Sequence, residues 1–280
     1  MTGPTRSRAR VHRLAPPALA LAALALLALA APWLAPAPPN AIPGDGLLTS
    51  LPPSLEHPFG TDPLGRDVLS RVLHGARVSL SVAVLSVALS SLLGTAYGAA
   101  AGWCGGWIDT VATRLLDVVL AVPRVMLLLV VSALWGPLPL HWLVLLLGIT
   151  GWFDVARLVR SEVRALRERE FVLAARASGV RGSRILWWHV VPHVWPTLAV
   201  TATLGVAHTV ALEAGLSFLG LGVQPPQASW GMMLTDGAIP GLGRWWLMLF
   251  PGGAIVAAVL AGNALSDALR ETATPRQVGA

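Results

Sequence analysis

Lysine does not occur in this 280-residue chain, and all 20 of its cations are arginine. That absence removes P-loop nucleotide hydrolysis, whose lysine must reach the β and γ phosphates. Cysteine is nearly absent as well. Cys104 stands alone, which excludes an intrachain disulfide and a paired-thiolate metal site, and a packing role beside Gly105 and Gly106 is expected for it. The sequence contains no HExxH, no GxSxG and no cluster of His, Cys and carboxylate at ligand spacing, so no catalytic, cofactor-binding or metal-binding residue is assigned. Charge is scarce too, at 12% of residues against 55% hydrophobic, with a mean hydropathy of +0.66. A hydrated globular surface cannot be built from that composition, which points to an all-α integral membrane protein.

A span needs roughly 20 mainly apolar residues. Six such runs are read at Ala15–Leu34, Val78–Gly102, Leu115–Trp135, Leu138–Ala156, Thr197–Gly220 and Trp245–Asp267. The first follows Arg6, Arg8, Arg10 and Arg13 and has the layout of a secretory signal, but it is long enough to span, so a retained anchor over 15–35 is expected behind a basic segment 1–14. Arg157, Arg160, Arg164, Arg167, Arg169, Arg176, Arg181 and Arg184 crowd a second segment, between the fourth and fifth runs. The positive-inside bias places both arginine clusters in the cytoplasm, and six passes return the tail 268–280, with Arg270 and Arg276, to the same side. Segments 36–77 and 221–244 then face outward. Cations placed this way serve topology, which leaves little support for nucleic-acid binding despite the net charge of +6.

Ionisable residues at membrane depth are candidates for function. Asp117 and Arg124 are seven residues apart around Pro123, on one face of an unbroken helix, with either a boundary pairing or a place along the pathway open to Asp117. Asp154 stands near Arg157, where local neutralisation is expected. Glu213 lies within the fifth run and must face a protein interior, a partner or water; His208, five residues earlier, points to another face. Gly94, Gly98 and Gly102 repeat every fourth residue and predict a close helix contact.

Two amphipathic stretches remain. In "HPFGTDPLGRDVLSRVLHGARVSL", Thr61 or Asp62 can cap a helix with Pro63 in its first turn and with Arg66, Asp67 and Arg71 hydrated, either as a lead-in to the next span or as a surface for a soluble partner. In "EREFVLAARASGVRGSRILWWHVVPHVWP", a helix of good formers should end at Gly179, and a second short helix capped by Ser183 should end near Pro192. Ala174, Ala175 and Gly179 give that loop, 157–196, a smooth face suited to another protein's groove, with solvent or lipid headgroups as the alternative contact.

The residues of this loop carry a resemblance. "AARASGVRGSRILWWHVVP" resembles the EAA loop of ABC-importer permeases, with Ala174, Ala175, Gly179 and Pro192 at matching positions, and Leu173, His189 and Val191 departing from the general pattern. "LDVVLAVPRVMLLL", "LEAGLSFLGLGVQPPQASWGMML" and "NALSDALRETATPR" extend the likeness from His57 to Arg276, although Ser266 and the "TATPR" ending differ. The chain is similar to the C-type permease subunit of dipeptide, oligopeptide and nickel importers. That resemblance implies a type I (MetI-like) core of five helices over 78–267 plus one extra N-terminal helix, in the bacterial inner membrane. The implied partners are a homologous second permease, two cytoplasmic ABC ATPases and an extracytoplasmic solute-binding protein. Glu170, Ala174, Ala175, Arg176, Gly179 and Pro192 then become the ATPase-coupling residues, and Asp117, Glu213 and the three stripe glycines become pathway or inter-helix candidates. Peptides are the first-choice cargo, with nickel or another small solute second. A stand-alone secondary carrier is the competing class, and it would need Glu213 as its coupling group.

Overall fold

The computed structural model describes residues 4–43, 49–136, 138–238 and 243–273, and the end of the predicted tail, with Arg276, lies outside them. Its helices are α1 (Pro4–Leu34), α2 (Val68–Cys104), α3 (Gly106–Leu120), α4 (Arg124–Trp135), α5 (Leu140–Arg167), α6 (Glu170–Ala177), α7 (Gly182–Ile185), α8 (Val191–Phe218), α9 (Trp230–Gly237) and α10 (Trp246–Ala273). A π turn over Leu186–Val190 joins α7 to α8. No β-strand forms among the described residues; Thr61 and Asp67 make one isolated bridge. Five helices are long and apolar enough to cross a membrane, and the bent pair α3–α4 makes a sixth candidate when taken as one broken span. Exposed tryptophans mark both boundaries: Trp33, Trp135, Trp142 and Trp245 at one end, and Trp107, Trp187 and Trp188 at the arginine-rich end.

Several passes outrun their apolar cores. At 37 residues, α2 is about 55 Å long, well beyond a hydrocarbon thickness of roughly 30 Å. α5 continues past the predicted Ala156 to Arg167 because its arginine-rich part is itself amphipathic, with Val159 and Val163 buried and Arg164 outward. The predicted second short helix is absent as a separate element, since α7, the π turn and α8 run on as one apolar helix. Pro192 is the reason for the π turn. Its nitrogen cannot donate, and the turn before it widens so that the Val191 N–H reaches back to Leu186 O.

The third pass departs most from expectation. α3 and α4 meet at 69° instead of forming one helix. Pro123 removes a donor and restricts Val122, whose N–H closes a tight turn on Val119 O at 3.2 Å. Asp117 and Arg124 therefore share no helix face.

Packing centres on α2 against α5, where the glycine stripe is part of a longer ladder. Ser86 donates to Val144 O at 3.1 Å and Ser90 to Gly148 O at 2.9 Å, and the same face continues through Gly94, Gly98 and Gly102. A Cβ on Gly94 would stand 2.6 Å from Val155 Cβ, and one on Gly98 would collide with Ala156 O and lie 2.9 Å from Arg160 N. Backbones this close require small residues, since association in lipid rests on packing and hydrogen bonds.

At the opposite end from the arginines, residues 49–67 form a strap rather than the expected interfacial helix. Asp67, not Thr61 or Asp62, caps α2, accepting from Ser70 N at 2.7 Å, and His57 Nδ1 approaches its other oxygen at 3.0 Å. Asp62 closes a turn by accepting from Leu64 N (2.8 Å), Arg66 N (3.0 Å) and Arg66 Nε (2.6 Å). Arg71 Nη1 lies 3.3 Å from Asp62, and both arginines approach Asp236 of α9, at 3.6 and 3.8 Å. Burial pushes the Asp236 carboxyl above its ordinary range, and Arg71 pulls it partly back. Arg66, Asp67 and Arg71 are thus buried, not hydrated as expected, because the strap folds over them and α9 supplies counter-charge.

Replacing Gly98 with valine is expected to lower stability by about 2 kcal/mol through overpacking, seen as a lower midpoint in thermal size-exclusion of the detergent-solubilised chain. Gly253→Ala, where an added Cβ meets nothing within 4 Å, should leave the midpoint unchanged or raise it. Asp62→Ala strands Arg66 and Arg71 and should cost about 3 kcal/mol, read in the same assay and as faster proteolysis of the strap.

Candidate functional site

The arginine-rich end forms an elbow. α6 turns away from α5 and is held by its inner face: Val172 is fully buried and Ala175 partly so, against Val159 and Val163 of α5 and Ile185, Leu186 and Val190 of the following helix. Phe171 stacks on His193 with ring centroids 5.0 Å apart, and the Arg176 guanidinium lies 4.7 Å over Trp103. Arg167 Nη1 donates to Trp103 O at 3.1 Å, closing the end of α2. α6 itself ends in a left-handed glycine cap, with Gly179 at φ +76° and Val180 N bonded back to Ala175 O at 3.2 Å. Glu170 sits in the first helical turn, where its charge suits the helix dipole.

What this leaves outside is a small, smooth ridge. Glu170, Ala174, Arg176 and Gly179 are exposed, and a Cβ added at Gly179 would meet nothing within 4 Å. Ala175 belongs to the inner face instead, and Pro192 lies in the first turn of α8 rather than on the ridge. An open cleft of about 680 Å³ adjoins the ridge, lined in part by Arg181, Arg184, Trp187 and Trp188. Cys104 is free and exposed near this end, so the packing role expected for it is not what the structure shows.

Sequence reasoning missed the brace above the elbow. Asp109, in the first turn of α3, is 6% exposed and is held by Arg160, whose Nη2 lies 2.8 Å from Oδ2, and by Arg164 at 3.7 Å. A usable signal was the position of Arg160, one turn after Ala156 on the face that meets the glycine stripe. Asp117 pairs with Arg157 at 2.8 Å across α3 and α5, with both groups about half exposed. Arg157 is therefore not the partner of Asp154.

Glu213 is fully buried at the junction of α2, α8 and α9. It accepts from Ser79 at 2.9 Å and from Ser217 at 2.7 Å, and the Ser79 oxygen in turn accepts the Trp230 N–H at 3.2 Å. The Trp230 ring is sealed in, donating to Val72 O at 3.0 Å, and Gly75 and Gly231 leave room for the contact. This arrangement can fasten the α9 hairpin to the bundle. A carrier's coupling group needs water on at least one side, and Glu213 is enclosed within this subunit.

Residues 75–278 match the family described as the inner membrane component of binding-protein-dependent transport systems. A protein of Brucella suis biovar 1, provisionally named a peptide transport system permease protein, is 39% identical over 253 residues, covering 90% of this chain and 83% of the relative. A second B. suis protein, provisionally named a peptide permease, is 42% identical over 246 residues, covering 87% and 80%. The dipeptide transport system permease protein DppC of Bacillus subtilis (strain 168) is 37% identical over 229 residues, covering 81% and 71%. With helical passes, a sealed α9 hairpin and an exposed arginine-rich elbow in one multi-pass bundle, and with this match over most of its length, the chain belongs to the inner-membrane permease components of binding-protein-dependent transport systems.

Proposed function

We propose that this permease forms half of the translocation pathway of an ATP-driven peptide importer in the bacterial plasma membrane, with both termini and the elbow in the cytoplasm. The partners are a homologous second permease, two cytoplasmic ABC ATPases and an extracytoplasmic solute-binding protein. ATP hydrolysis belongs to the ATPases, in keeping with a chain that has no lysine for a P-loop. Peptides are favoured over nickel because the relatives carry peptide and dipeptide transport names.

One observation carries the mechanism: α6 presents a ridge of small residues outward while its inner face is fixed to α5 and α8. A groove on an ATPase can grip Ala174 and Gly179 closely, with Glu170 and Arg176 giving orientation by charge. Because Val172 and Ala175 lock the ridge to two long helices, moving α6 moves α5 and α8 with it. Only the short turn over residues 178–181 separates α6 from α7, which continues into α8 as one helix.

Ala174→Arg adds bulk and charge to the ridge without touching the bundle. It is expected to cut ATP-driven uptake by the assembled importer at least ~10-fold, with normal membrane insertion and weaker copurification of the ATPase. Wild-type uptake by this variant would remove α6 from the coupling role. Orientation is read with the single native thiol: a membrane-impermeant maleimide should label Cys104 in inside-out vesicles only. In a Cys104→Ser background, Leu55→Cys on the strap should label only from the other face.

A further inference from the structure

A push on α6 reaches the long helices only if the turn behind it is stiff. Four residues, 178–181, separate α6 from α7. Ser178, Gly179 and Arg181 are exposed, and only Val180 packs against the apolar cluster that receives Val172. A helix end capped by glycine and so thinly packed is a natural place to bend, since few buried contacts oppose its opening.

Trp103, the penultimate residue of α2, lies across the base of this turn. Before the turn, the Arg176 guanidinium in the last turn of α6 sits 4.7 Å from the centre of its ring. Arg176 forms no ion pair among the described residues, so the ring is what holds it. After the turn, Gly182 opens α7 against the same ring: a Cβ there would stand 3.4 Å from Nε1 and 3.6 Å from Cζ2. Trp103 O accepts from Arg167 Nη1 at 3.1 Å, and Gly105, at φ +67°, leaves room for that arginine, because a Cβ would collide with Nη1. One residue thus touches the end of α5, the end of α6 and the start of α7. The ring is itself partly buried against the cluster around Val163 and Val172, which limits its own freedom to swing.

We infer that Trp103 is a positioning residue for coupling: its ring clamps the two sides of the 178–181 turn, so that displacement of α6 passes into α7 and α8 instead of bending the turn. The inference rests on the reading of α6 as the contact for the ATPase. A cation held on an aromatic face resists separation, and the Gly182 contact closes the other side by packing alone.

The test has two arms. In the full-length chain in detergent, trypsin should cut after Arg181 at least ~3-fold faster in Trp103→Leu, which keeps apolar bulk without the aromatic face, and at the wild-type rate in Trp103→Phe, which keeps the face. In the complete importer with its ATPases and binding protein, trialanine taken up per ATP hydrolysed should fall at least ~3-fold in Trp103→Leu and in Gly182→Val, whose branches push on the ring. Trp103→Phe and Gly182→Ala should keep the wild-type ratio, and all four variants should retain the ATPases on purification. A merely structural role would lower the yield of complex and leave the ratio alone. Wild-type cleavage or a wild-type ratio in Trp103→Leu, equal changes in Trp103→Leu and Trp103→Phe, or loss of the ATPases would each overturn the clamp. Wild-type uptake by Ala174→Arg would instead overturn the coupling reading of α6, and the cleavage arm decides the clamp for any cargo.

Discussion

The backbone-to-backbone contact of α2 with α5 is the constraint on which the rest of this molecule depends. Lipid gives two apolar helices no hydrophobic reason to associate, so the pair is held by close approach and by the two serine bonds to Val144 O and Gly148 O. Its consequences reach both ends. At one end it fixes Arg160 where it can brace Asp109, and positions Val159 and Val163 to receive Val172 of α6. At the other, α2 carries Arg71 and Ser79 into register with Asp236 and Glu213, which tie down the strap and the α9 hairpin.

Polar groups buried within or beside the bundle fall into two kinds. Glu213 and the Asp62–Arg66–Arg71–Asp236 group are enclosed and answered by hydroxyls or opposite charges, and their work is to hold loops against helices. Asp154 and His208 are exposed and make no hydrogen bond among the described residues, and Arg124 beside them is anchored. A satisfied buried acid such as Glu213 gives stability and specificity.

Much of this was legible in the sequence, for identifiable reasons. The spans over α1, α2, α5, α8 and α10 follow from runs of apolar residues, the capped end of α6 from Gly179, and the close contact from glycines four apart. Pairings were not legible. Asp154 stands beside Arg157 in the chain, yet Arg157 reaches α3, because partners across helices depend on rotation and on the bend at Pro123. The strap misled in the same way: Arg66, Asp67 and Arg71 read as hydrated, since nothing local shows that α9 brings Asp236 to them. Ser86 and Ser90 extend the glycine ladder but are invisible to a search for glycine alone.

The widened turn at Leu186–Val190 has a bearing on how such a helix can change over time. One residue more than an α turn requires is accommodated there, and each residue rotates a helix by about 100°. The wide turn absorbs that extra residue, so α7 and α8 stay nearly in phase across it and Val172 meets its pocket with the turn in place. The placement of Pro192, whose missing donor sets where the widening falls, therefore matters more than the composition around it. Drift is free to exchange one exposed tryptophan for another aromatic ring there.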